Sequence, residues 1–290
     1  MSWVFFAIMA AILTATSTIV EKKTLFKQHA TVFSATLSLL IFILSIPLLV
    51  VADFSNVDFV SVLIMFFISA LASIAFLLAA KSLRHLDISV SAPLMTAGPA
   101  FTLLFAYIFL GESIKFYQLG GIFLLIVGAY ALETKKDHSL LDPLKEFISS
   151  RYIHFIIFAL ILYGLTSVGD RFIVHIRGIP VITYFVIIHF FLAVNFLIMM
   201  FVFYDGFQGM RLSLKESGWW ILLVAGLTFG YRFFQMEAVS MAYVALVSAI
   251  KRSSALFSTF IGGELFKEQN LFRKSVACLI IIAGVLIIVL

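Results

Sequence analysis

Apolar runs of roughly twenty residues alternate along the chain with short polar punctuation. Ten can be marked: 3–20, 31–51, 58–80, 87–110 and 116–132, then 152–174, 181–204, 218–240, 242–264 and 269–290. A helix needs roughly 20 apolar residues to cross the hydrocarbon core, so each run predicts one transmembrane helix. Between the fifth and sixth runs lies the longest charged stretch, Glu133 to Arg151, which contains Lys135, Lys136, Asp137, Asp142 and Pro143 and reads as a linker. It divides the sequence into halves at 1–138 and 139–290. The predicted fold class is an all-α integral membrane protein with ten transmembrane helices.

The halves resemble each other in chemistry as well as in hydropathy. A shift of 149 lays Ser17-Thr18-Ile19-Val20-Glu21-Lys22 over Thr166-Ser167-Val168-Gly169-Asp170-Arg171, so each half opens with a hydroxyl-lined helix ending in an acid and a base. A shift of 156 aligns Phe101, Glu112, Phe116 and Gly128 with Phe257, Glu268, Phe272 and Gly284. Five spans per half is an odd number, so the halves would enter the membrane from opposite sides, the inverted-repeat plan of many secondary transporters.

Composition narrows the function classes. Of 290 residues 63% are hydrophobic and 12% charged, with a mean hydropathy of +1.14, which excludes a water-soluble globular protein. The loops are too short for a soluble catalytic domain, so any site must be built inside the bilayer. An intramembrane enzyme would need a nucleophile beside a base, and the spans hold no Gly-x-Ser-x-Gly, no His-Glu-x-x-His and no aspartate pair at helical spacing. No enzymatic activity is therefore expected. The lone Cys278 excludes an intrachain disulfide, and no His, Asp or Glu pair has metal-ligand spacing, so neither metal nor cofactor is expected. A net charge of +5 fits basic loops at lipid headgroups and not nucleic acid. The start, Met1-Ser2-Trp3, has no basic region before its apolar run, so the first segment is expected to remain as a span. Of the 20 Lys and Arg residues, fourteen fall in the loops after spans 1, 3, 5, 7 and 9, whereas Lys115, Arg171 and Arg177 fall in the others. The positive-inside rule then puts the basic loops in the cytoplasm and both termini outside.

Charged groups inside a span are costly, which makes each one a functional candidate. Lys251 and Arg252 sit eight to ten residues inside the ninth run, and Ser248 continues their face. Arg232 is the other deep cation, with Gln235 one turn along its helix. Three cations suit an anionic substrate group, since guanidinium forks grip carboxylate or phosphate and lysine supplies a point charge. The bland reading is that these cations pair with Glu21, Asp170 or Glu237 and lock helices. Glu21 and Asp170 end the stripes Thr14, Ser17, Thr18 and Tyr163, Thr166, Ser167 and are candidates for coupling or gating, or else interfacial cap charges. His154, His189 and Asn195 read as satisfied hydrogen-bonders, and Glu112 and Glu268 as caps of the helices that follow them. Pro93, Gly98 and Pro99 predict a kink lining a cavity, with Thr96 inside it. The 33 phenylalanines read as packing and lipid-facing groups.

The stretch Ala92-Pro93 through Leu110-Gly111-Glu112 to Gln118-Leu-Gly-Gly-Ile and Gly128, and its echo in Phe266-Lys267-Glu268 and Ala283-Gly284-Val285, resembles the EamA repeat of the drug/metabolite transporter superfamily. The resemblance spans nearly the whole chain and implies ten helices in two five-helix halves. It also implies export or exchange of amino acids, sugars, phosphorylated metabolites, nucleotide sugars or drugs, driven by protons or counter-exchange. Lys251-Arg252 resembles the Lys-Arg pair with which plastid phosphate translocators of that superfamily hold phosphate. The chain departs from a strict repeat at Ala249, which stands where the first half has Pro93. The expected function is a multi-pass cell-membrane secondary transporter for a small anionic or zwitterionic metabolite, working as a monomer or homodimer by alternating access. An exporter of neutral or drug-like compounds, with structural cations, is the alternative; a lipid flippase is a further one.

Overall fold

In lipid the hydrophobic effect does not press one apolar helix onto another, so close packing depends on small side chains at the contact. Ala7, Ala11 and Ala15 lie one turn apart along the first helix and are buried, marking its seam toward the protein. The computed structural model describes residues 2–25, 29–85, 98–133, 151–203, 206–254 and 271–289. In chain order the elements are α1 (Trp3–Leu25), α2 (Ala30–Ser45) with a 3-10 turn (Ile46–Val50), α3 (Phe59–His85), α4 (Gly98–Leu110) and α5 (Phe116–Glu133). There follow α6 (Arg151–Arg171) with a π-turn (Phe172–Ile176), α7 (Val181–Phe203), α8 (Phe207–Ser217), α9 (Trp219–Met241), α10 (Val244–Arg252) and α11 (Leu271–Val289).

All regular structure among the described residues is helical. Among the described residues, five segments are long and apolar enough to cross a membrane: Trp3–Glu21, Ala30–Val50, Phe59–Ser82, Arg151–Ile176 and Val181–Val202. At about 1.5 Å per residue, the 23 residues of α7 reach roughly 35 Å, against a hydrocarbon core of about 30 Å. Shorter apolar helices occupy Gly98–Leu110 and Phe116–Gly128. Large apolar side chains face outward along the bundle, with Phe59 80% and Phe116 90% exposed, a surface suited to lipid. The protein is an integral membrane protein.

Residues 205–217, which read as a loop in the sequence, contain α8. Gly206 and Gly218 flank it with φ of +56° and +53°, the left-handed backbone that only glycine adopts without strain. The helix buries Met210, Ser213 and Ser217 and packs on α2 and α9. Arg211 and Lys215 stay exposed beside Phe207 and Leu212, the amphipathic character of an interfacial helix.

The principal helix contacts join the first half to the second: α1 on α9, α3 on α6, α2 on α7, α4 on both α6 and α10, and α5 on α11. On α1 and α9, Phe6 stacks with Phe234 at 6.0 Å and the Ser17 and Thr228 hydroxyls are 3.1 Å apart. A Cβ on Gly230 would lie 3.1 Å from Leu13. Successive contacts run in opposite directions along the two chains, so these helices are antiparallel. On α3 and α6, Gly169 receives Ile68, 2.7 Å from where its Cβ would be, and Ser82 Oγ donates to Tyr152 O at 2.9 Å.

The α5–α11 contact brings backbone against backbone. A Cβ on Gly128 would lie 3.0 Å from Ala277 O and from Ile281 N, and one on Gly284 would lie 2.8 Å from Gly121 O and 3.0 Å from Leu125 N. Adding 156 to Gly121, Leu125 and Gly128 gives Ala277, Ile281 and Gly284. Each helix therefore presents to the other the positions that it receives, in antiparallel register.

Candidate functional site: a buried cation and carboxylate cluster

Four helices converge on a small interior cavity lined by Ile68 and Ala72 of α3, Thr166 and Asp170 of α6, Tyr184, Ile188, His189 and Leu192 of α7, and Arg232 and Met236 of α9. Helical spacing explains the lining, because Thr166 and Asp170 are one turn apart, as are Ile188 and Leu192, and Arg232 and Met236. Gly169, pressed on Ile68, lets α6 approach α3 closely enough for Asp170 to face inward.

Tyr184 is fully buried and donates its phenolic hydroxyl to Asp170 Oδ1. Asp170 is also within electrostatic reach of Arg232 and Lys251. His189 Nδ1 is 2.7 Å from Phe185 O; a carbonyl only accepts, so Nδ1 carries the proton and Nε2 is left as the polar atom toward the cavity. Its ring lies 4.1 Å from that of Phe185.

One layer on, Lys251 Nζ donates to Gln235 Oε1 at 2.6 Å and lies 4.8 Å from the centre of the Tyr231 ring. Tyr231, Arg232 and Gln235 lie on neighbouring faces of α9, so one helix positions an aromatic face, a guanidinium and an amide around the same volume. Lys251 and Arg252 form the last turn of α10, where the exposed carbonyls favour positive charge. Glu21 reaches this region electrostatically through Tyr163 and Tyr231.

Arg252 reaches toward Gly98, whose Cβ, if it had one, would lie 2.5 Å from the Arg252 Nη2. The guanidinium thus lies against the first turn of α4, where both Gly98 and Pro99 are buried. Proline is tolerated in a first turn because its missing N–H would be unpaired there. Ser248 lies on α10 three residues before Lys251. Pro93 and Thr96 lie outside the described residues.

The structure therefore brings Asp170, Arg232, Gln235 and Lys251 together, sets Glu21 and Arg252 at the edge of the group, and adds Tyr184, Tyr231 and His189. Nothing in the sequence singles out Tyr184 or Tyr231, since aromatics are 16% of the chain. The acid-base dipeptide Asp170-Arg171 is not an ion pair: Asp170 faces the cavity, while Arg171 pairs with Glu112 at 3.0 Å. Glu112 does cap a helix, though not the following one. Its Oε2 accepts the N–H of Val244 at 3.2 Å, the first residue of α10.

In a helical bundle suited to the membrane, charged and hydroxylated side chains lining the interior mark a functional site. Residues 1–134 match the sequence model of the EamA-like transporter family. Its members are transporters and not enzymes. No curated protein matches the chain. One crystal structure is similar with a TM-score of 0.73 over 98% of this chain and 95% of its own, at 13% identity, a likeness of fold alone.

Proposed function

We propose that the protein is a secondary transporter of the cell membrane that carries a small anionic or zwitterionic metabolite, such as an organic acid, an amino acid or a phosphorylated compound, by alternating access. The observation that carries this reading is the setting of Lys251, a cation deep in the bundle held by an amide oxygen and an aromatic face. Among the described residues the ion pairs are Arg171–Glu112 and Arg177–Asp58, and neither involves Arg232, Lys251 or Arg252. The basic side chains Arg232, Lys251 and Arg252 stand near the carboxyl groups of Asp170 and Glu21. A basic group within the bilayer is costly to charge without a partner, and a substrate anion is such a partner for Lys251.

In this mechanism Arg232 and Lys251 bind the negative group, with Ser248, Gln235 and Thr96 supplying polar contacts. Asp170 and Glu21 are coupling or gate carboxylates, with a proton or a counter-substrate as the coupled species. Tyr184 keeps Asp170 oriented. Pro93, Gly98 and Pro99 shape the opposing wall. The halves 1–138 and 139–290 act as inverted five-helix repeats, a reading supported by the exchanged register of α5 and α11 and by the pairing of α1 with α9 and of α3 with α6 across the halves.

The test is ligand-induced thermal stabilisation of the detergent-purified protein with phosphorylated, carboxylated, zwitterionic and neutral compounds, beside Lys251→Ala. At 100 times Kd a ligand adds about 2.7 kcal/mol to the folded state. Stabilisation by an anionic compound that disappears in Lys251→Ala is the expected result. Stabilisation by neutral compounds that persists in the variant makes the cations structural and selects the drug-exporter reading.

A further inference from the structure

Glu112 and Arg171 form a contact that the proposed path does not use. Glu112 lies in the α4–α5 connection, directly after Gly111 with φ +63°. Its Oε1 accepts Arg171 Nε–H at 3.0 Å, with both side chains 6% exposed. Its Oε2 accepts Val244 N–H, while Arg171 Nη1 donates to Val239 O. The carboxylate and the guanidinium together thereby tie the α4–α5 connection to the end of α6, the end of α9 and the start of α10.

Three of those helices carry the candidate site: α6 through Asp170, α9 through Arg232 and Gln235, and α10 through Lys251. Successive residues of a helix point about 100° apart, so Asp170 faces the cavity while Arg171, next to it, faces Glu112. Helix α10 starts at Glu112 and ends at Lys251 and Arg252. The π-turn that follows Arg171 fixes the same end of the bundle, with His175 Nδ1 3.0 Å from Ser240 O and Arg177 N–H bonded to Phe172 O at 2.9 Å.

A buried ion pair adds little net stability, because the charges give up hydration to meet. The same balance makes the contact inexpensive to open when water enters, since each charge then recovers its hydration. An apolar seal of the same area has no such compensation. Resting on the transporter reading, we infer that Glu112 is a positioning residue and latch: bound to Arg171 and Val244 N–H, it closes the α4–α5 end of the path and sets the spacing between the wall bearing Asp170 and the wall bearing Lys251.

The test places a reporter thiol in the cavity, Ala72→Cys in a Cys278→Ser background, and measures its labelling by a membrane-impermeant methanethiosulfonate reagent. Glu112→Gln and Arg171→Gln should each raise the labelling rate about tenfold, and Glu112→Asp, which keeps the charge, should stay near the parent rate. Unchanged labelling in both neutral variants, with only a lowered Tm, overturns the inference, as does failure of both to yield folded protein. If labelling rises while no anionic compound stabilises the parent, the latch stands and the substrate reading falls. If an anion stabilises the parent through Lys251 while labelling stays flat, the latch falls and the substrate reading stands.

Discussion

The ammonium of Lys251 is 2.6 Å from Gln235 Oε1, so the deepest cation of α10 is held by a neutral amide. Removing the amide and removing the cation should therefore have opposite effects on stability. Gln235→Leu leaves the ammonium without its acceptor and should cost about 1–3 kcal/mol. Lys251→Met removes the group that had to be desolvated and should be neutral or stabilising while eliminating the response to anionic ligands. In the double variant the penalty of Gln235→Leu should vanish, which thermal unfolding in detergent will read as a non-additive cycle. Equal destabilisation by both single changes would make Lys251 a structural residue.

Gly98→Ala should separate stability from function. The added Cβ meets the tip of the Arg252 side chain at 2.5 Å, and a long flexible side chain can swing away cheaply. At this first helical position the alanine-over-glycine gain, about 1 kcal/mol in a helix interior, is reduced. The expected variant unfolds within about 1 kcal/mol of the parent but binds anionic ligand about tenfold more weakly, a difference of roughly 1.4 kcal/mol. Unaltered affinity would remove Arg252 from the site.

Gly284→Ala should be costly for the opposite reason. Its Cβ would meet backbone, Gly121 O at 2.8 Å and Leu125 N at 3.0 Å, and backbone cannot step aside. Overpacking of this kind costs about 1–3 kcal/mol. Gly226→Ala is the control, since nothing lies within 4 Å of its Cβ position, and it should leave stability the same or higher.

Asp58, in the connection before α3, is held well below the usual carboxylate range, first by the Ser61 hydroxyl and then by Arg177, whose Nη2 lies 2.7 Å from the carboxylate. A depressed carboxyl contributes fully above its ordinary pKa of about 3.9 and loses that contribution only as pH falls through the lower folded value. The effect of Asp58→Asn on thermal stability should therefore be the same at pH 5 and pH 8. A difference between the two would mean that the carboxylate titrates in that window and that the clamp is weaker than its geometry implies.

Much of this was legible in the sequence because lipid imposes a strong rule: backbone polar groups must be paired internally, so long apolar runs become helices. The runs at 3–20, 58–80 and 181–204 appear as α1, α3 and α7 for that reason. Lys251, Arg232, Gln235 and Asp170 stood out because polar groups in apolar runs are rare. The aromatic partners did not, because Tyr184 and Tyr231 resemble the many rings that only pack. Nor did the cap made by Glu112, since the Val244 N–H it accepts lies 132 residues away in sequence and only the tertiary arrangement makes them neighbours. Helix α8 was missed because its eleven residues are too few and too polar for a span, and its two flanking glycines look like loop punctuation.

The glycine faces of α5 and α11 carry a mechanical consequence. Two helices meeting backbone to backbone can neither slide past nor roll over each other without driving a carbonyl into a peptide plane. In the proposed transport cycle they take the role of a fulcrum, a strut about which the other helices tilt.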